Sequence, residues 1–164
     1  MTYVNEFLNN QLLMSGIIGW LVAQFLKTVI DIALNQSFNP ERLVGSGGMP
    51  SSHSSTMCAL TTAAFIKYGA GSFEFAISFI MAMVVMYDAI GVRQETGKQA
   101  KLLNSLVFEN VLKLDAVLLQ KKLKEYVGHT PLQVVAGAML GIAIAIGMAG
   151  WFLRKLRWSR CEGG

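Results

Sequence analysis

Long apolar runs alternate with short polar connections along this chain of 164 residues. Four runs are predicted to cross a membrane, at residues 16–34, 53–68, 73–92 and 131–153, because a spanning helix needs roughly 20 mostly apolar residues. The second run is weak, since it is rich in Ser, Thr and Ala. Small residues permit close approach of helices, so we expect this run to be wrapped by the others. In the fourth run, Gly137 and Gly141 form a Gly-x-x-x-Gly packing face.

The segment from Gln94 to Tyr126 has a different pattern. Its apolar residues follow a helical period, at positions 103, 106, 107, 111, 114, 117 and 118. Glu109, Lys113 and Asp115 interrupt its best apolar window, so we predict an amphipathic helix at the interface or against the bundle. The expected fold is all-α: a membrane bundle of about four transmembrane helices, with this amphipathic helix between the third and fourth, in a single domain over residues 1–164.

The composition supports a membrane protein. Hydrophobic residues make up 53% of the chain and charged residues only 15%, whereas soluble domains carry about 25% charged residues. The chain has no basic segment before its first apolar run, so we expect that run to remain as a span. The expected location is a bacterial cell membrane or an organelle membrane of similar type. Cys58 and Cys161 fit no ligand motif and are interpreted as unremarkable thiols.

The net charge of +4 bears on partners. Basic residues concentrate at 93–124 and 154–160. Beside membrane spans, such clusters indicate lipid headgroups or topology, so the expected partner is the lipid bilayer and no nucleic acid is expected. Basic residues on both membrane faces leave the orientation open. The small-residue faces would permit a homo-oligomer.

Alternation of four spans brings several polar residues to one membrane face. We call the face on which spans two and four begin face B, and the opposite face, with both termini, face A. Lys27 approaches face B, His53 and His129 open spans on it, and Asp88 and Arg93 close span three on it. Both histidines of the chain are therefore expected on face B with two cations and a carboxylate.

Lys27 lies inside a span, together with Gln24 and Asp31 on the same helical face. Charges within a span are expensive and normally face a bundle interior or a wet cavity. Two interpretations remain open: Lys27 serves a polar site, or Lys27 and Asp31 neutralise each other at i, i+4.

Residues 45–55, GSGGMPSSHSS, lead into the second span. A serine-rich turn before a helix offers backbone N–H donors and the positive end of a dipole to an anion. Gly47 and Gly48 allow close backbone approach, and the hydroxyls of Ser51 and Ser52 add donors. Helix capping by either serine is the structural alternative, but it does not account for His53.

GHTPLQ, residues 128–133, leads into the fourth span. Thr130 is predicted to be the N-cap, with Pro131 at the first helical position and Gln133 completing a capping box. His129 stands outside the helix beside its positive end, where an imidazole stays mostly neutral, as a nucleophile must be. With cations nearby, one histidine attacking phosphorus and the other protonating the leaving alkoxide would suit phosphoryl chemistry. Only Asp88 is an obvious nearby carboxylate, so no metal or other cofactor is expected.

Three segments together resemble a known family. GGMPSSHSS, YDAIGVRQETGKQAKLLN and GHTPLQVVAGAMLGI are similar to the divergent branch of the type 2 phosphatidic acid phosphatase family, related to vanadium haloperoxidases. The resemblance implies a phosphatase-like transmembrane domain that hydrolyses a lipid phosphate without metal, through a phosphohistidine. By position it implies that His129 is the nucleophile, His53 the general acid, and Ser51 and Lys27 phosphate ligands.

The chain departs from the family pattern in places. Leu123 stands where an arginine is usual, and Arg93 is the proposed substitute, with Lys98 as a further candidate phosphate-binding cation. Ser52 replaces a glycine and is counted with the phosphate-binding group. Gln133 stands where an acid orients the imidazole; an amide accepts a hydrogen bond from the ring but lacks the charge, so Asp88 is an alternative carboxylate, or activity is reduced.

The leading hypothesis is a phosphatase that acts on a phosphomonoester or pyrophosphate of a lipid, such as phosphatidate, phosphatidylglycerophosphate or a polyprenyl phosphate. The alternative is a non-catalytic binder or transporter of anionic lipid or phosphate that uses the same site. A purely structural membrane protein would explain the spans but not the cluster at face B.

Overall fold

The computed structural model describes residues 2–36, 48–108 and 129–161, and all of their regular structure is helical. In chain order the helices are α1 (Thr2–Asn9), α2 (Gln11–Asn35), α3 (Ser52–Tyr68), α4 (Phe73–Ile90), α5 (Val92–Phe108) and α6 (Pro131–Cys161). The prediction of an all-α membrane bundle is confirmed.

Within these described ranges, three helical stretches are long and apolar enough to cross a membrane: Gln11–Ala33, Phe73–Leu106 and Pro131–Trp151. The chain is therefore an integral membrane protein. The first stretch begins five residues before the predicted start of span one, because Asn10 caps α2 by accepting a hydrogen bond from the Leu13 N–H at 3.2 Å. The eight residues of α1 were not predicted to be a separate helix.

The remaining predicted span corresponds to α3, which lies at the centre of the bundle. It has 17 residues, about 25 Å of helix at 1.5 Å per residue, and it packs against α6, α2 and α4. Its buried residues are serine, alanine, threonine and cysteine. The expectation that the weak span would be wrapped by the others is confirmed.

Glycines on α2 let it pack closely against α3. Gly16 lies against Thr56, and Gly19 lies against Ser55 and Ala59. Ser55 Oγ donates a hydrogen bond of 2.9 Å to the Gly19 carbonyl. Residue numbers rise along α2 as they fall along α3, so the two helices are antiparallel.

Glycines on α6 allow an even closer approach to α3. A Cβ at Gly137 would clash with the backbone of Ser51, and a Cβ at Gly141 would clash with the backbone of Ser55. The predicted Gly-x-x-x-Gly packing face is confirmed, and its partner is α3. Residue numbers rise together along both helices, so α3 and α6 are parallel and both begin at face B.

A third side of α3 is covered by α4, which runs antiparallel to it. Thr61 Oγ1 lies 3.0 Å from the Ser78 carbonyl oxygen, across the interface. Gly91 separates α4 from α5. The predicted amphipathic helix over 94–126 corresponds in part to α5, which buries Gly97, Ala100 and Asn104. Residues 109–126 of that prediction lie outside the described part of the chain.

Candidate functional site

Three helix ends are joined by backbone hydrogen bonds at face B. The Ser51 N–H, at the start of α3, donates to the Gln133 carbonyl at 3.1 Å. The His129 N–H, just before α6, donates to the Ala89 carbonyl near the end of α4, also at 3.1 Å. These bonds bring the beginnings of α3 and α6 and the end of α4 to one place.

Lys27 reaches the same level from α2. The antiparallel register that sets Gly19 against Ser55 and Ala59 carries α2 past the first turn of α3 by about residue 27. The Lys27 side chain is only 2% exposed. A buried ammonium group therefore lies in the bundle close to the level at which α3 begins.

The chain enters α3 through a turn whose geometry requires glycine. Gly48 has a φ of 89°, and a cis peptide bond joins Met49 to Pro50. Ser51 is the N-cap: its Oγ accepts from the Ser54 N–H at 3.4 Å and from the Ser54 hydroxyl at 3.0 Å. Capping by Ser51 is thus confirmed, and its own hydroxyl proton remains a donor for a third group.

The predicted capping box opens α6. The Thr130 N–H donates to Gln133 Oε1 at 3.2 Å, and the Gln133 N–H donates to Thr130 Oγ1 at 3.4 Å. Gln133 Oε1 also lies 3.1 Å from His129 Nδ1. The capping-box prediction for Thr130 and Gln133 is confirmed.

The contact with Gln133 determines the tautomer of His129. A backbone N–H can only donate, so the Gln133 atom that faces the Thr130 N–H must be the amide oxygen. The same oxygen faces Nδ1 of the ring, so Nδ1 must carry a proton. In the neutral imidazole the lone pair is then on Nε2. An amide in place of a carboxylate therefore still orients the ring.

Burial divides the candidate residues into two groups. His129 is 4% exposed, Ser52 is buried and Ser51 is completely buried, as is Lys27. His53, in the first turn of α3, is exposed. The imidazole of His129 thus lies inside the bundle end, and that of His53 lies on its outer side.

The other predicted residues lie on α4 and α5. Asp88 is half-buried in the last turn of α4, next to the Ala89 carbonyl that accepts from His129. Arg93 is in the first turn of α5, and its side chain lies outside the described part. Lys98 is exposed and forms an ion pair of 2.6 Å with Glu95 on the same helix.

The arrangement suits an anion. The positive ends of α3 and α6 and the buried ammonium group of Lys27 would stabilise an anion there, whereas the carboxyl end of α4 and the Asp88 side chain oppose it. Among the described residues, no group of three or more His, Cys, Asp or Glu side chains could hold a metal ion.

Two contributors to the site were not predicted from the sequence. Ser54 is completely buried and donates its hydroxyl to Ser51 Oγ; its place in the SSHSS run was the available signal. The Ala89 carbonyl, which anchors His129, has no signal in sequence, because any residue can supply a backbone carbonyl.

The fold and the site define a helical integral membrane protein with a buried histidine and a buried lysine at one end of its bundle. The chain belongs to the divergent PAP2 family, whose model matches residues 8–144. It is 35% identical over 157 residues to the uncharacterized membrane protein YuiD of Bacillus subtilis (strain 168), a match that covers 90% of this chain and 99% of the relative. No solved structure matches. The family resemblance predicted from the three segments is confirmed.

Proposed function

We propose that this protein is a phosphatase that hydrolyses a phosphomonoester or pyrophosphate of a membrane lipid through a phosphohistidine, without metal. Membership of the divergent PAP2 family supports a PAP2-related membrane protein. The observation that carries the finer proposal is the contact of 3.1 Å between His129 Nδ1 and Gln133 Oε1. It supports a ring with its lone pair on Nε2, which is the form that can attack phosphorus.

In the proposed reaction, His129 Nε2 attacks the substrate phosphorus and the bond from phosphorus to the lipid oxygen breaks. His53, as its imidazolium, gives a proton to the departing alkoxide. Water then attacks the phosphohistidine, His53 takes a proton from that water, and the P–N bond breaks to release inorganic phosphate. His129 returns to its neutral form, and no oxidant or metal is consumed.

The binding roles are distributed over the same bundle end. Lys27 balances the negative charge of the phosphoryl oxygens. Ser51 donates its hydroxyl proton, and Ser52 and Arg93 are further phosphate-binding candidates. Lys98 is the weakest candidate of this group, because its ammonium is exposed and paired with Glu95.

The difference in burial between the two histidines supports one orientation of the substrate. In-line displacement requires nucleophile and leaving group on opposite sides of phosphorus. His129 is buried and His53 is exposed, so the phosphoryl group would point into the bundle and the lipid oxygen outward. The reaction would then tolerate different alcohols, since the lipid stays outside the buried part of the site.

The first test measures phosphate release by purified protein in lipid nanodiscs, with a chelator present and with phosphatidate, phosphatidylglycerophosphate and polyprenyl phosphates as substrates. His129→Ala is expected to abolish phosphate release and to prevent formation of the acid-labile phosphoprotein that is trapped during turnover, because it removes the proposed nucleophile. Leu132→Ala, an exposed position in the first turn of the same helix, is the control and should keep both.

Full phosphate release by a folded His129→Ala protein would remove His129 as the nucleophile. Release that occurs only with added divalent metal would contradict the proposed mechanism as a whole. The thermal unfolding temperature of both variants, measured in the same nanodiscs, separates loss of chemistry from loss of fold.

A second candidate function is that of a binder of anionic lipid or phosphate without turnover, and the specific observation in its favour is Gln133. An amide orients the ring but cannot stabilise the positive charge that develops on a phosphorylated imidazole. Gln133→Glu supplies a negative charge that would stabilise this imidazolium. A hydrolase should gain at least about tenfold in rate, whereas a binder should show no turnover and should still bind lipid phosphate.

Gln99→Glu is the matched control for that substitution, because Gln99 is exposed on α5 and the change in charge is the same. An equal rate gain in Gln99→Glu would attribute the effect to net charge rather than to His129. No turnover in either variant, together with retained binding of lipid phosphate, would favour the binder.

A further inference from the structure

The short helix α1 has a separate apolar face. At 100° per residue, Tyr3, Val4, Phe7 and Leu8 fall within an arc of about 140°. Each of the four side chains is more than half exposed. The opposite arc of α1 is polar, with Asn5, Glu6 and Asn9.

Helix α1 is tied directly to the membrane boundary. Asn10 is in extended conformation, with φ −73° and ψ 96°, and caps α2, whose membrane-spanning stretch begins at Gln11. One residue therefore separates the two helices. Because α1 has eight residues, no part of it can lie more than about 12 Å from Asn10.

The C-terminal end of α1 lies over the face A end of the bundle. Leu8 and Asn9 line a cavity of about 180 Å³ together with Met14, Met148 and Trp151, from the start of α2 and the later part of α6. The last turn of α1 therefore lies beside the start of α2 and the later part of α6. Tyrosine and tryptophan are enriched at the membrane–water interface, and Tyr3 and Trp151 lie near this end of the bundle.

We propose that α1 is an interfacial helix that inserts its Tyr3–Val4–Phe7–Leu8 face into the lipid surface at face A. The occupant is lipid because only Asn10 separates α1 from a membrane-spanning helix, so the apolar face of α1 stays within about 12 Å of the start of that span. The chemistry of contact is apolar: Glu6 is the only charged residue of α1, and α1 contains no lysine or arginine. Insertion therefore depends on buried apolar area and not on anionic lipid.

The test places an environment-sensitive NBD fluorophore on single cysteines in nanodiscs, in a Cys58→Ala, Cys161→Ala background. Phe7→Cys and Val4→Cys report the apolar arc, and Asn5→Cys reports the opposite arc as the matched control. Labels at 7 and 4 are expected to emit at shorter wavelength and to be quenched several-fold more by lipids spin-labelled near the headgroup than the label at 5. Replacing neutral by anionic lipid should change none of these values.

Equal lipid quenching at positions 7 and 5 would overturn the proposal, because it would show no preferred face. A label at 7 shielded from both lipid and aqueous quenchers would mean that protein, such as a second copy of the chain, covers the arc. Quenching that appears only with anionic lipid would overturn the apolar mode of contact. The second apolar position keeps the test valid if one variant does not fold.

Discussion

Helices α3 and α4 lie side by side, but the more polar helix is the more buried of the two and the more apolar helix is the more exposed. α3 is the less apolar of the two, yet most of its serines and alanines are buried. α4 is rich in phenylalanine, isoleucine and methionine, yet its buried residues are Ser78, Ala82 and Ala89. Many of its large side chains, including Ile80 and Val84, are exposed.

The comparison shows what holds this bundle together. In a bilayer the lipid tails are as apolar as leucine, so large apolar residues gain little by turning inward. Close approach of backbones and interhelical hydrogen bonds supply the packing energy instead. The interior of this protein is accordingly built from small residues, many of which carry hydroxyl groups. The same composition places serine hydroxyls at face B.

The largest loss of unfolding free energy is expected from Gly141→Ala. The added Cβ would clash with the backbone of Ser55 and lies 2.9 Å from the Ala59 nitrogen, so α6 must move away from α3. We expect a loss of about 1–3 kcal/mol or more in unfolding free energy, measured by SDS titration in mixed micelles. Gly147→Ala on the same helix meets no atom within 4 Å and should be neutral or slightly stabilising. Equal losses in the two variants would refute the role of close packing.

Ser55→Ala should have an intermediate effect. It removes the hydrogen bond of 2.9 Å from the Ser55 hydroxyl to the Gly19 carbonyl but keeps a small side chain where α3 contacts α2. The expected loss is about 1 kcal/mol, measured in the same titration. An unchanged unfolding free energy would show that the hydroxyl contributes nothing beyond its size.

Val84→Ala should have the smallest effect. Val84 on α4 is 63% exposed, so the substitution opens no internal cavity and exchanges one lipid contact for another. We expect a change within about 0.5 kcal/mol. A loss as large as that of Gly141→Ala would mean that α4 packs against protein at this position, for example in an oligomer.

Much of the fold was predictable because its signals are local. Three of the four apolar runs, the capping box at Thr130 and Gln133 and the glycine pair of α6 each depend on a pattern within one chain segment, and each is confirmed. Helix α1 was not predicted, since its eight residues are too short for a spanning pattern.

The site was predictable only in part. The partner of the His129 ring could be anticipated, because Gln133 is four residues away on the same chain segment. The different burial of His129 and His53 could not, since it depends on how α3, α4 and α6 meet. The ion pair of Lys98 with Glu95 is local, but its spacing of three residues did not reveal that the pair would face solvent.

Helix α2 continues for eight residues beyond Lys27 before it ends at Asn35, a further 12 Å or so of helix, whereas α4 ends and α6 begins near the level of Ser51. This extension carries exposed apolar side chains, among them Val29 and Ile32. Lipid beside this part of α2 would therefore contact apolar side chains beyond the level of Lys27. The candidate span Gln11–Ala33 thus extends past Lys27, so along α2 the hydrocarbon layer would reach beyond the depth of the buried ammonium group.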